Sequence, residues 1–195
     1  MRAPLRYQPY YCEENIWHLS ADESFAECCT RVCLVTNDLH SCPLWRQRLA
    51  EAPDLPVWWD YHVFLLAWDA GKWEVWDPDS VLPFPVDAHG YTALTFGAAA
   101  WLPPRFLPRF RIVDATTFRA AFASDRAHMR AADGTYTAAP PPWPAISPCP
   151  DAPSNLSQFL DMDHAFLGDV LNLQQFLSYV LSAPGADSGA ASPAH

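Results

Sequence analysis

The stretch V57-W-W-D-Y-H-V-F-L-L-A-W-D69, followed by A70-G-K72 and W73-E-V-W-D77, decides how this chain folds. Its first part alternates two sets: Trp58, Asp60, His62, Phe64, Leu66, Trp68 and Trp59, Tyr61, Val63, Leu65, Ala67. Both sets are largely apolar, which predicts a central strand covered on each side. DAGK reads as a turn and WEVWD as the returning strand, ended by the prolines of PDSVLPFP, which cannot donate to a ladder.

That hairpin has a chemical consequence. With a two-residue loop, paired residue numbers always sum to an odd value, so positions 62 and 77 share one sheet face. With Asp69–Ala70 as the loop, His62 and Asp77 lie directly opposite, about 5 Å apart at Cβ; with Ala70–Gly71 they lie diagonally, about 7 Å apart. An imidazole and a carboxylate on an otherwise apolar face need each other. The pair reads either as a core histidine satisfied by a carboxylate or as an oriented acid–base group.

A second element comes from Q8-P-Y-Y-C-E-E-N-I-W-H-L19. Cys12, Ile16 and Leu19 follow helical spacing, and Glu13 and Glu14 fall where a first turn favours negative charge. The reading is a short helix over 12–20, with Cys12 at its N-terminus on the inward face and the two glutamates facing solvent or binding a cation. A thiol there would gain acidity from the free amides and the helix dipole. A buried, inert cysteine is the competing reading.

Elsewhere, Cys28–Thr36 reads as a strand, with Pro43–Arg46 continuing past the NDLHS turn. Residues 109–123 read as a strand running into a helix, and 135–153, rich in proline, as an extended segment wrapping the surface. Ser154 or Asn155 can cap a helix carrying Leu156, Phe159 and Leu160. A last helix is expected over Val170–Leu181, and 183–195 is expected to be a disordered tail. The sum is one α+β (α/β) domain over 1–182, a mainly antiparallel sheet flanked by helices.

Composition narrows the function. Half the residues are apolar and nine are tryptophan, ample for a core in 195 residues. The net charge of −10 argues against nucleic acid as a partner. No apolar run is long enough for a membrane span. Six cysteines without a small-domain disulfide framework point to reduced thiols in the cytoplasm, or also the nucleus. No paired-cysteine or His-x-x-x-His signature supports a metal made from Cys12, His62 and Asp77, so none is expected. A monomer is the default expectation.

YYCEENIW, WDYHVFLL, WDPDSVLPFP, RFRIVDATTFRAAFASDRAHM and PPPWP occur in the order and spacing of one family. Over about Tyr7 to Tyr179 the chain resembles the protein N-terminal glutamine amidohydrolases. The resemblance implies a fold related to papain-like and transglutaminase-like cysteine enzymes. It implies deamidation of N-terminal glutamine on proteins or peptides, without cofactor, feeding the N-degron route. It implies a triad of Cys12, His62 and Asp77, with Asp79 close enough to raise the question of which aspartate orients the histidine.

Recognition of the substrate's α-ammonium then calls for a buried carboxylate or a ring of carbonyls, with Asp60, Glu13, Glu14 and Asp125 as the candidate carboxylates; Ser124 and Asp125 could line the pocket or simply form a turn. Tyr61, on the opposite face from His62, is left out. A transglutaminase-like acyltransferase, a cysteine protease, or a non-enzymatic module that recognises N-termini remain alternatives built from the same residues.

Overall fold

The computed structural model describes residues 4–149 and 152–185. In chain order it runs α1 (Cys12–Leu19), β1 (Cys29–Thr36), β2 (Cys42–Leu44), β3 (Val57–Trp59), β4 (His62–Asp69), β5 (Lys72–Trp76), β6 (Val86–Asp87), α2 (Ala88–Phe96), β7 (Arg109–Asp114), α3 (Ala115–Ala121), α4 (Leu156–Leu160), β8 (Asp169–Asn172) and α5 (Leu173–Val180), with short 3-10 turns between. Six strands form one antiparallel sheet in the order β6-β5-β4-β1-β7-β8, and β2 pairs with β3 apart from it.

Alternation explains the layering. Val32 and Leu34 of β1, Val63 and Leu65 of β4 and Val113 of β7 pack with Ile16 and Leu19 of α1, Phe118 of α3 and Phe159 of α4. Their neighbours Cys33, Val35, Phe64, Leu66 and Ile112 face the other way, onto Tyr91 and Phe96 of α2 and Phe176 of α5. The sheet is therefore covered on both sides, as the doubly apolar 57–69 pattern requires. The result is a single α+β domain. No described helix is long and apolar enough to cross a membrane.

Three readings need correction. The 57–69 run is not one strand: Thr36 Oγ1 donates to the Asp60 carbonyl at 2.6 Å and Asp60 Oδ1 accepts from Tyr61 N at 3.0 Å. Those bonds occupy backbone groups at 60–61, so β3 peels away to pair with β2 while β4 begins at His62. For the same reason Cys42–Leu44 belongs to the small sheet and does not continue β1.

The last helix begins at Leu173, because 169–172 pair with β7 as an edge strand and Asn172 forms a capping box with Gln175. Val170 thus lies in the strand, where local helical spacing loses to ladder pairing.

Two further elements stand out. The 86–102 region, which the sequence left unassigned, holds α2, capped by Asp87 Oδ1 accepting from Gly90 N at 2.9 Å. Asn155 precedes α4 without capping it by its side chain; that side chain bonds Ala123 N at 2.9 Å and Ala121 O at 2.8 Å, tying α4 to the end of α3. The expected tail falls mostly on 186–195, outside the described residues.

Glycine is required where β8 approaches β7. Gly168 has φ +80°, and a Cβ there would meet the Ile112 carbonyl oxygen at 2.2 Å. Gly71 also has positive φ (+84°) but open space around it. Gly168→Ala is expected to destabilise the protein by about 2–4 kcal/mol, and Gly71→Ala by only about 1, read as shifts in the denaturant midpoint at unchanged slope.

Candidate active site

The hairpin between β4 and β5 resolves the loop question. Asp69 pairs with Lys72 and Leu65 with Trp76, so Ala70–Gly71 is the loop and position 77 falls diagonal to 62 on the same face. His62 Nε2 lies 3.0 Å from Asp77 Oδ1, and both side chains are fully buried. Because Asp77 Oδ1 also accepts from Asp79 N at 3.0 Å, and Tyr91 donates to Oδ2 at 2.8 Å, the carboxylate is held as an acceptor. Gln47 Nε2 adds a longer contact to Oδ2 at 3.4 Å. Nε2 must therefore carry the proton, and Nδ1 is left as the basic nitrogen, with no hydrogen-bond partner.

Burial works against charge on both members of the pair, and partnership outweighs it. Burial pulls His62 down, but the Asp77 charge and hydrogen bond leave it above its usual value. Burial pushes Asp77 up, but His62 and the Tyr91 hydroxyl hold it below the ordinary range.

Asp79, raised by burial and by Asp77, takes a 2.7 Å hydrogen bond from Tyr7 instead of orienting the ring. His62, Asp77 and Asp79 hold donor atoms within 4.8 Å of one another, but His62 and Asp77 spend theirs on each other. Trp59 stacks on the imidazole, with centroids 5.6 Å apart.

Cys12 opens α1 as expected, and no side chain caps that helix. Asn15 clamps the preceding segment, bonding Gln8 N and Gln8 O at 2.8 Å each. The Cys12 sulfur lies on the α1 face of the sheet, against the N–H of Val63, the peptide that follows His62. Among the described residues no hydrogen bond joins the sulfur to the ring.

The expectation of a more acidic thiol is overturned. Burial first, and then Glu13, push Cys12 well above its usual value, so the resting group is a thiol.

The two glutamates do not face solvent. Both are fully buried. Glu14 takes a two-pronged salt bridge from Arg126, Nε at 2.7 Å and an η nitrogen at 2.8 Å, plus the Trp143 indole N–H at 2.7 Å. Glu13 Oε2 accepts from the Tyr61 hydroxyl at 3.0 Å and from the Cys12 thiol at 3.7 Å.

Tyr61, kept protonated by burial and by Glu13, is 3.1 Å from His128 Nε2. Burial lowers His128 and Glu13 raises it, with the net shift upward. Tyr61 was omitted for lying on the opposite face from His62. It does lie there, and so does Cys12.

Of the other candidates, Asp60 is exposed beside Tyr61. Ser124 is buried, its N–H bound to Ile146 O and its hydroxyl oxygen 3.3 Å from Arg126 N. Asp125 is exposed and accepts from Ala127 N at 2.9 Å, shaping a turn in which Arg126 is left-handed. The site residues that sequence reasoning missed are Tyr61, His128, Arg126, Trp143, Tyr91 and Tyr7. Arg126, His128 and Trp143 lie inside the family-like blocks FASDRAHM and PPPWP, which carried the available signal.

A thiol at an uncapped helix start, set against a strand whose histidine is hydrogen-bonded to a buried aspartate, is a set of parts that thiol hydrolases use. Comparison with known proteins gives the family. Residues 7–180 match the model of the N-terminal glutamine amidase family. A protein N-terminal glutamine amidohydrolase of Danio rerio is 33% identical over 185 residues, covering 89% of this chain and 88% of the relative. The Homo sapiens protein of that name is 37% identical over 177 residues, covering 87% and 85%. One from Drosophila willistoni is 38% identical over 151 residues, covering 74% and 73%. The chain belongs to the N-terminal glutamine amidase family.

Removing one partner of the Glu14–Arg126 bridge strands the other charge in the interior. Glu14→Ala is expected to cost about 3–5 kcal/mol in denaturant unfolding, and adding Arg126→Met to recover part of that loss.

Proposed function

We propose that this chain hydrolyses the side-chain amide of a glutamine at the N-terminus of a protein or peptide, leaving glutamate and releasing ammonia. One observation carries the chemistry: a buried His62–Asp77 bond that leaves Nδ1 of the ring unpartnered, one peptide away from the N–H that touches the Cys12 sulfur.

Because the resting sulfur is a thiol, a base is needed, and His62 Nδ1 takes the Cys12 proton. The thiolate attacks the δ-carbonyl carbon, and the Cys12 backbone N–H, free at the uncapped start of α1, faces the developing oxyanion. The imidazolium returns its proton to the departing nitrogen, ammonia leaves, and a γ-glutamyl thioester remains. Water then loses a proton to His62 and attacks that thioester, yielding glutamate and the thiol. Asp77 holds the tautomer and stabilises the imidazolium.

No cofactor enters these steps. The new acidic N-terminus would suit a later step that reads acidic termini, such as arginylation on the N-degron route. All six cysteines are free, which supports a reducing compartment, the cytoplasm or nucleus, and the protein is expected to act as a monomer.

Peptides starting with Gln or Asn, and peptides with internal Gln, separate the possibilities when ammonia and mass are followed together. The expected outcome is ammonia from the Gln-starting peptide alone, the chain intact, and a loss of several orders of magnitude in Cys12→Ala. Cleavage of the chain would favour a protease, and capture of an added amine a transferase; equal release by wild type and Cys12→Ala removes Cys12 from the reaction.

The pH profile supplies a second check. His62 must be neutral to act and sits above its usual value, so activity should fall as pH drops through a point above about 6.5. Asp77→Asn removes the charge that raises His62. It should lower kcat on the order of 10³–10⁴-fold and move the residual acid limb to lower pH.

A further inference from the structure

A glutamine at a chain terminus differs from an internal one by its α-ammonium, which lies roughly 5 Å from the reacting carbon in an extended side chain. A site that acts on the terminus needs a group that binds an ammonium within that reach of the sulfur, and a buried carboxylate is one such group. Four carboxylates were candidates, and the structure separates them. Glu14 is consumed by Arg126 and Trp143. Asp125 holds a turn at the surface. Asp60 is exposed, with one oxygen on the Tyr61 N–H. Glu13 alone is fully buried and within 3.7 Å of the Cys12 sulfur.

Glu13 also has an open valence. Oε2 is bound by the Tyr61 hydroxyl, whereas Oε1 is buried and, among the described residues, meets no donor in hydrogen-bonding geometry. His128 Nε2 faces Oε1 from 3.5 Å, an ion pair when the ring is protonated. A dehydrated carboxylate oxygen met only by an imidazole at that distance is under-solvated, and Glu13 also makes the neighbouring thiol harder to ionise. Neither effect serves packing or the nucleophile. Both are offset once a primary ammonium binds there.

Tyr61 and His128 join Glu13 to the surface. Together with Asp60, Ser154, Leu156 and Leu160 they line a groove of about 290 Å³.

We propose that Glu13 Oε1, between Tyr61 and His128, receives the α-ammonium of the substrate's first residue, and that the adjoining groove takes the residues after it. This rests on the deamidase reading for the identity of the ligand and names the group that makes the reaction specific for a terminus. Asp60, at the mouth, adds a second negative charge that draws the cation inward. Glu13 is a specificity residue here, and the chemical steps remain with Cys12, His62 and Asp77.

Two measurements test it. The first compares ammonia release from a Gln-starting peptide and its Nα-acetylated form. Wild type is expected to favour the free amine by at least 100-fold in kcat/KM, and Glu13→Gln to lose most of that preference through KM. Glu13→Asp, which keeps the charge but withdraws it, should fall between them.

The second needs no turnover. A Met-starting peptide, close to Gln in length but without an amide, should protect Cys12 from iodoacetamide in wild type; its acetylated form should not, and neither should protect Glu13→Gln. An unchanged free-amine preference in folded Glu13→Gln, or equal protection by both peptides, overturns the assignment. If wild type releases no ammonia yet the free-amine peptide still protects selectively, the deamidase reading falls and the ammonium site stands. If Glu13→Gln fails to fold, Glu13→Asp with unaltered preference and protection overturns the site, and a loss in both supports it.

Discussion

The turn at Ala70–Gly71 sets the geometry on which the site depends. Both residues have positive φ, 47° and 84°, the mirror-image turn whose twist matches that of the flanking strands. That turn fixes which residues of β4 and β5 face each other, and a slip of one residue would send Asp77 to the opposite face from His62. Once both occupy one buried face, each needs the other, because neither can meet water. The further donors on Asp77, from Tyr91 of α2 and from the Asp79 backbone, are what allow a carboxylate to stay ionised at zero side-chain exposure.

The break at Asp60–Tyr61 contributes as much as the turn. Cys12 belongs to the layer with Val63 and Leu65, while His62 faces the layer with Phe64 and Trp59. In the middle of a sheet, side chains on opposite faces are separated by the backbone ladder. Here β3 departs for another sheet and β4 begins at His62, so the sulfur reaches the peptide at the start of the strand. The sulfur and the imidazole thus lie on opposite faces, on either side of the point where β4 begins.

This explains what could be read from the chain and what could not. The hairpin parity of His62 and Asp77 and the helical spacing of Cys12, Ile16 and Leu19 are local patterns with short-range physical causes, and both held. The surroundings of Glu13 and Glu14 are not local. The preference for acids in a first helical turn is a dipole effect that holds equally for exposed residues, and it cannot announce an Arg126 that lies 112 positions away. Alternation places Tyr61 correctly, opposite His62; what it cannot show is that Cys12 and Glu13 of α1 pack against that face. Val170 satisfies a helical face as well as a strand position, and only pairing with Arg111 decides between them.

The electrostatics of the site bear on turnover as well as on binding. Glu13, Asp77 and Asp79 are buried around the thiol and the imidazole, with Asp60 at the entrance. Such a cavity resists any added negative charge, which is why the sulfur rests as a thiol. Under the proposed reaction the substrate arrives with a neutral side-chain amide and leaves with a carboxylate. The same carboxylates that would favour a cationic terminus oppose that new anion, and the buried Arg126 is held by Glu14. Substrate binding and product release are therefore driven by one charge distribution. An un-ionised resting thiol is the consequence, and the proposed reaction accordingly draws its reactivity from an oriented histidine and not from a standing thiolate.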